Sequence, residues 1–179
     1  MGLALVAGCG AQPQYQQALP QDEQGLYMNE TYENLNKSLE AEIKGDQVQV
    51  KQFKNRIQVT IADEILFPEG GWEVGAHGID VLNKVSPSLQ SLSGKRVAVQ
   101  GFTDSLPVAA TLRARFPTNW ELSADRATNV VRHLQTLGVD PSTLVAEAFG
   151  QYQPIASNET PEGRRKNRRI NIVIEDSDL

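Results

Sequence analysis

Apolar side chains recur at two different spacings along the chain, and the switches between them set the predicted elements. From Met28 to Lys44, the positions Met28, Tyr32, Leu35, Leu39 and Ile43 form a narrow stripe at helical intervals, which predicts a helix ended by Gly45-Asp46. A stripe of this width serves either as a coiled-coil seam between two copies, giving a homodimer, or as the face on which the helix leans against the domain that follows. Strict alternation takes over at Gln47 to Lys51 and at Arg56 to Ile61, two strands joined by the polar turn Lys54-Asn55. The stretch Ile65-Leu-Phe-Pro-Glu-Gly-Gly-Trp72 breaks at Pro68 and Gly70-Gly71 and reads as a loop. Helical spacing returns at Ile79, Leu82, Val85, Leu89 and Leu92, with Pro87 expected to kink this helix and Gly94 to stop it.

Arg96 to Thr103 alternates at Val97 and Val99 and reads as a half-buried strand, so Asp104 falls at a strand's carboxyl end. Thr118-Asn-Trp-Glu121 has the spacing of a capping box and starts a helix at Asn119. Leu122, Val130, Val131, Leu134 and Leu137 follow at helical intervals, and Gly138 supplies the left-handed stop. Beyond the turn Asp140-Pro-Ser lie a strand at Leu144 to Phe149 and a loop at Gly150 to Pro154. A helix capped by Thr160 with Pro161 at its first position comes next, then a strand at Arg169 to Ile174 with Ile170, Ile172 and Ile174 on one face. Strands alternating with helices predict an α/β two-layer sandwich built on a mixed β-sheet.

A chain of 179 residues suits one domain of ordinary size plus a tail. The net charge of -5 and a pI near 5.1 disfavour general polyanion binding. Residues 10 to 25 are rich in Gln, interrupted by Pro13 and Pro20, and poor in apolar groups, so they read as a flexible tether. Ahead of them, Leu5-Val-Ala-Gly-Cys9 resembles a lipobox, the sequence at which bacterial lipoproteins are cleaved and their new terminal Cys is lipidated. No basic segment or long apolar stretch precedes it, so translation is expected to start further upstream. Gly10, standing where Asp marks inner-membrane retention, implies an outer-membrane anchor through Cys9 on the periplasmic face. The expected organisation is thus a partial lipoprotein signal over 1–9, a tether over 10–25, a helix over 26–45 and a domain over 46–179.

The densest chemistry lies between Gly101 and Ala127. Ligands of open α/β sheets collect at the carboxyl ends of strands, where Asp104 sits. Arg126 follows about two turns into the capped helix, Asn119 opens it, and the helix start offers free N–H groups. A carboxylate, a guanidinium, an amide and a helix N-terminus together suit a zwitterion, with Asp104 for an ammonium and Arg126 for a carboxylate. On spacing alone, Asp104 and Arg126 equally well pair with each other or face water separately.

Several ordered blocks carry a family resemblance: Gly101-Phe-Thr-Asp104, Asn119-Trp-Glu-Leu-Ser-Ala-Asp-Arg-Ala127, Gly138-Val-Asp-Pro141, Phe149-Gly-Gln-Tyr-Gln-Pro-Ile-Ala-Ser-Asn158 and Gly163-Arg-Arg-Lys-Asn-Arg-Arg-Ile170. Over roughly residues 56 to 175 the chain resembles the OmpA-like C-terminal peptidoglycan-binding domain, found also in Pal lipoproteins and the flagellar stator protein MotB. The resemblance implies noncovalent binding of the peptidoglycan stem peptide through diaminopimelate, whose far end is a zwitterion. It assigns Asp104 to the ammonium and Arg126 to the carboxylate, Asn119 as a contact amide, Thr103, Thr118 and Leu122 as lining groups, and Arg168 as pocket support. Two departures stand out. The segment between Asp104 and Asn119 is longer than in the outer-membrane and Pal types and nearer the stator type, and Pro68 follows Phe67 where many relatives have Asp or Asn. The rival role is a periplasmic module that docks a motor or secretion machine through this long loop and the Met28 to Lys44 helix.

Other chemistries find less support. Arg164-Arg-Lys-Asn-Arg-Arg169 gathers five basic residues in six but lacks interleaved aromatics, so no nucleic-acid partner is expected. His77 and His133 have no nucleophile at a motif spacing, and two His with one Cys make no zinc signature, so neither catalysis nor a metal or cofactor is expected. Trp72 and Trp120 suit either sugar stacking or rim packing.

Overall fold

The structure is a computed structural model and describes residues 21–92 and 94–177. Helix α1 (Gln21–Ser38) and the short α2 (Glu40–Lys44) precede a hairpin of β1 (Val48–Phe53) and β2 (Arg56–Ala62). A single-turn α3 (Asp63–Leu66), α4 (Ala76–Gln90) and β3 (Lys95–Phe102) follow. Then come α5 (Asn119–Thr136), a 3-10 turn at Pro141–Thr143, β4 (Leu144–Gly150), α6 (Pro161–Asn167) and β5 (Arg169–Asp176).

The strands form one mixed sheet in the order β1-β2-β5-β3-β4, antiparallel except for the parallel β3/β4 pair that α5 connects. One face carries Ile57, Val59 and Ile61 of β2, Ile170, Ile172 and Ile174 of β5, and Val97 and Val99 of β3 in register. These pack with Val81, Leu82, Val85 and Leu89 of α4 and Ala127, Val130 and Leu134 of α5 in a single core. Each fully buried Val, Leu or Ile among them contributes about 1.5–3 kcal/mol. The opposite face is mixed: Ala98 pairs with Val173, both buried, while Thr60 donates to Asn171 (3.0 Å) and Arg96 bridges Glu147 and Glu175. The expected two-layer α/β sandwich with a mixed sheet is the observed fold.

The N-terminal helical segment ends at Lys44 as expected but departs from expectation at its start and in its middle. It begins at Gln21, so Gln21 to Gly25 are helical rather than tether, and it divides at Leu39. Its stripe is spent on its own domain. Met28, Leu35 and Leu39 belong to the core, with Tyr32 and Ile43 against it, so these side chains are not a free seam for a second copy. The Tyr27 hydroxyl donates to the Ser91 carbonyl, tying α1 to the end of α4. Cys9, with the signal and most of the tether, lies outside the described residues. Among those described, no helix is long and apolar enough to cross a membrane.

Two smaller differences have local causes. Asp63 to Leu66 form a helical turn where a loop was expected after Ile65, closed by Phe67 N–H donating to the Asp63 carbonyl (2.9 Å). Pro87 stays inside a continuous α4.

Candidate functional site

Register brings the site together. In the sheet, Ala62 of β2 and Phe102 of β3 both stand opposite Arg169 of β5. The residues just beyond them, Asp63, Thr103 and Asp104, therefore meet Arg168 at one end of the three central strands. The Asp63 N–H donates to the Arg168 carbonyl (3.1 Å), which fixes α3 against the start of β5. Helix α5 crosses above. Its Thr118 hydroxyl accepts from Trp120 N–H (3.2 Å) and Glu121 returns a bond to Thr118 N–H (2.8 Å), the predicted capping box. Gly101 lets α5 come close, since a Cβ there would lie 2.3 Å from the Ser123 carbonyl oxygen.

Four charges of alternating sign result. Arg168 Nη1 donates to Asp104 Oδ2 (2.6 Å), and Asp104 Oδ1 accepts from Leu106 N–H (3.0 Å). Arg126 Nη1 lies 3.0 Å from Asp63 Oδ1, while its Nε and Nη2 donate to the Gly71 carbonyl (3.1 and 2.7 Å) and its guanidinium lies over the Phe67 ring. Asp104 and Arg126 are 7% and 6% exposed. They are near enough to feel each other's field but do not pair, so neither of the two alternatives left by spacing is realised.

The Asp63–Arg126 contact is electrostatic and is not aligned as a hydrogen bond, leaving Asp63 Oδ1 buried without a donor. Burial pushes the Asp63 carboxyl above its ordinary range, and the nearby guanidinium of Arg126 offsets this only in part. Burial likewise lowers Arg126, against the pull of Asp63. Both shifts say that desolvation outweighs attraction in this pair, as expected of buried charges kept for something other than stability.

The remaining predicted residues support this cluster. The Asn119 amide is buried and turned inward, within reach of the carbonyls of Asp104 (3.3 Å) and Leu106 (3.0 Å) and of Gln151 Oε1 (2.8 Å). The Thr103 hydroxyl donates to the Asp104 carbonyl (2.9 Å). Thr118 caps α5. Leu122 joins Val108 and Phe116 in a small second core, with Trp72 and Leu112 against it. That core orders the long loop. Trp72 meets Phe116 edge-on, and Arg115 lies over both rings.

Two residues escaped sequence reasoning. Asp63 precedes Asp104 by forty-one positions, and only the insertion of β5 between β2 and β3 brings them together. Asn167, fully buried, binds Ile155 N–H (2.8 Å), Ala156 N–H and carbonyl (3.0 and 2.9 Å) and Asn158 Oδ1 (2.9 Å). Asn158 Oδ1 in turn accepts from Ser105 N–H (3.2 Å), securing the loop beside Asp104. A groove of about 450 Å³ shares Arg168 with the site but none of Asp104, Arg126 or Asn119. Among the described residues, no cluster of three His, Cys, Asp or Glu side chains is arranged for a metal.

The fold has known counterparts. The model of the OmpA family matches residues 66–168, more than half of the chain, and the chain belongs to that family. It is 31% identical over 150 residues to motility protein B of Bacillus subtilis, covering 81% of this chain and 56% of that protein. It is 33% identical over 122 residues to the peptidoglycan-binding protein ArfA of Mycobacterium tuberculosis, covering 68% and 35%. The chain thus spans between about a third and a little over half of these relatives. Among solved structures, a putative MotB-like protein from Desulfovibrio vulgaris superposes with a TM-score of 0.77 at 28% identity, covering 87% of this chain and 98% of that one. The cell wall anchor of the type VI secretion system from Pseudomonas aeruginosa gives 0.72 at 31%, covering 80% and 97%.

Proposed function

We propose that this chain binds peptidoglycan noncovalently, taking the diaminopimelate end of the stem peptide into the cluster of Asp63, Asp104, Arg126 and Arg168, and does not cleave it. The observation that carries the reading is the buried, charge-alternating cluster at the strand ends, with Asp104 and Arg126 held apart by partners of their own. A zwitterion enters such a site without adding net charge. Its ammonium takes the place of the Arg168 guanidinium at Asp104, and its carboxylate meets Arg126 and the freed Arg168. Family membership supports the same reading, as do a relative named for binding peptidoglycan and a structural neighbour described as a cell wall anchor. Lipidation at Cys9 would hold the domain at the periplasmic face of the outer membrane, so that the protein ties membrane to wall.

Cosedimentation with purified peptidoglycan tests the site. The wild type pellets, whereas Asp104→Ala and Arg126→Ala, shown by circular dichroism to be folded, stay in the supernatant. Equal pelleting of all three removes the site from the account. Fatty-acid labelling of wild type but not of Cys9→Ser tests the anchor.

A second role, docking within an envelope machine, draws on the second core: the loop from Ser105 to Pro117 is packed and shaped around Phe116 and Trp72 rather than merely long. A photo-crosslinker placed at Arg113 in cells separates the roles. A discrete protein adduct supports docking, and adducts to wall material alone speak against it.

A further inference from the structure

We infer that Trp120 and Tyr152 form a saccharide-stacking platform beside the charged cluster, which takes a pyranose ring of the glycan strand while the cluster holds the peptide. This rests on the peptidoglycan reading above and names a second subsite for the same polymer.

The two tryptophans have different fates. Trp72 is absorbed by the small core around Phe116, but Trp120 stacks on Tyr152 with ring centroids 5.2 Å apart and planes inclined by 26°. Both rings stay open to solvent, Trp120 at 45% and Tyr152 at 62%. Leu106 is also exposed, at 52%, and its carbonyl accepts from the Asn119 amide that precedes Trp120 in α5. Nothing among the described residues covers these side chains. Elsewhere, Phe53 is an isolated exposed ring with the Arg56 guanidinium over it, whereas Trp120 and Tyr152 expose two stacked rings together.

The platform is built rather than loose. Trp120 stands in the first turn of α5, held by the capping box. Tyr152 stands in a turn fixed on both sides: Gln151 Oε1 accepts from Asn119 (2.8 Å), Tyr152 N–H donates to the Phe149 carbonyl (3.2 Å), and the Gln153 carbonyl accepts from Arg169 Nη2 (3.1 Å). Arg169 is itself buried over the Phe102 ring, and burial pushes its guanidinium down to about 10. Fixed aromatic rings offer contact area without an ordering cost on binding.

Continuity with the charged site decides the occupant. Asn119, next to Trp120, reaches the Asp104 carbonyl and Gln151 at once, so the platform begins one residue from the cluster. Peptidoglycan carries its peptides on a neutral polysaccharide, so the surface adjoining a peptide pocket meets sugar. A pyranose presents an apolar C–H face to an aromatic ring and hydroxyls at its edges, so exposed stacked rings suit it.

Calorimetry with the full chain tests this using three probes: a stem tripeptide containing diaminopimelate, the same peptide on its disaccharide, and a peptide-free N-acetylglucosamine trisaccharide. Wild type is expected to bind the disaccharide-peptide on the order of tenfold more tightly than the free peptide. Trp120→Ala and Tyr152→Ala erase that difference while leaving free-peptide affinity unchanged, and Trp120→Phe retains most of it. Asp104→Ala loses the free peptide but keeps a weak response to the trisaccharide. Equal affinity of wild type for peptide and disaccharide-peptide overturns the platform and leaves the peptide site standing. Loss of all peptide binding with the trisaccharide response intact overturns the peptide site instead, and failure of every probe overturns both.

Discussion

Arg126 and Asp63 face each other 3.0 Å apart, both almost wholly buried, in a contact that leaves Asp63 Oδ1 without a hydrogen-bond donor. Helix α5 and the single turn α3 thus meet through a pair whose desolvation is not repaid by its geometry. Removing one member strands the other. Asp63→Ala is therefore expected to lower unfolding free energy by about 3 kcal/mol, read from urea midpoints. The double variant Asp63→Leu/Arg126→Met, apolar on both sides, is expected to recover that loss or exceed it and yet not pellet with peptidoglycan. Pelleting by the double variant would sink the assignment of Arg126 to ligand binding.

The same carboxyl gives a pH signature. Burial raises Asp63 above its value in the unfolded chain. The folded state therefore holds this proton more tightly, and the associated stability is fully present below the unfolded value and lost as pH rises through the folded one. Asp63→Asn cannot ionise, so its stability should fall less than that of wild type across that interval. Parallel pH profiles for the two proteins, by thermal unfolding, would show that Asp63 does not titrate as proposed.

Close approach of α5 to β3 rests on Gly101, where a Cβ would come 2.3 Å from the Ser123 carbonyl oxygen. Gly101→Ala must push α5 outward, at a cost of about 1–3 kcal/mol. Because Arg126 rides on α5, wall binding should weaken with it. An unchanged melting temperature is the contrary result.

Asn167 holds the loop after β4 through four hydrogen bonds inside the protein. Asn167→Ala removes the partner of partly buried backbone groups at Ile155 and Ala156 and should cost on the order of 1–3 kcal/mol. Faster amide exchange from Ile155 to Asn158, and at Ser105 through its bond to Asn158, is the accompanying signature.

Thr118 tests a lining role against a capping one. Its hydroxyl and backbone are both engaged with the first turn of α5. Thr118→Ala is expected to lose about 1 kcal/mol of stability with little change in peptidoglycan affinity, whereas Thr118→Ser, which keeps the hydroxyl, retains the cap. A loss of affinity larger than the loss of stability would make Thr118 a ligand contact.

Local spacing was enough to place the five strands and the longer helices, and several of their ends. The alternation at Val97 and Val99, the capping box at Thr118 to Glu121, the stop at Gly138 (φ +89°) and the cap at Thr160 are local physics, readable within one turn or one strand. The sequence also marked Asp104, Arg126 and Arg168, because residue types and spacing matched a recognisable family. It left open where the Met28 to Ile43 stripe goes, since a seam and a packing face have the same period; tertiary packing decided for the domain's own core. Who pairs with whom was settled by tertiary packing. β5, last in the chain, inserts between β2 and β3, and its register sets Arg168 beside both Asp63 and Asp104. The aromatic rings likewise look alike in sequence, yet packing sets Trp72, half-buried, edge-on to Phe116 and leaves Trp120 on Tyr152 in the open. Pairings of this kind depend on strand order and on the depth at which each side chain ends, and neither quantity is carried by local spacing.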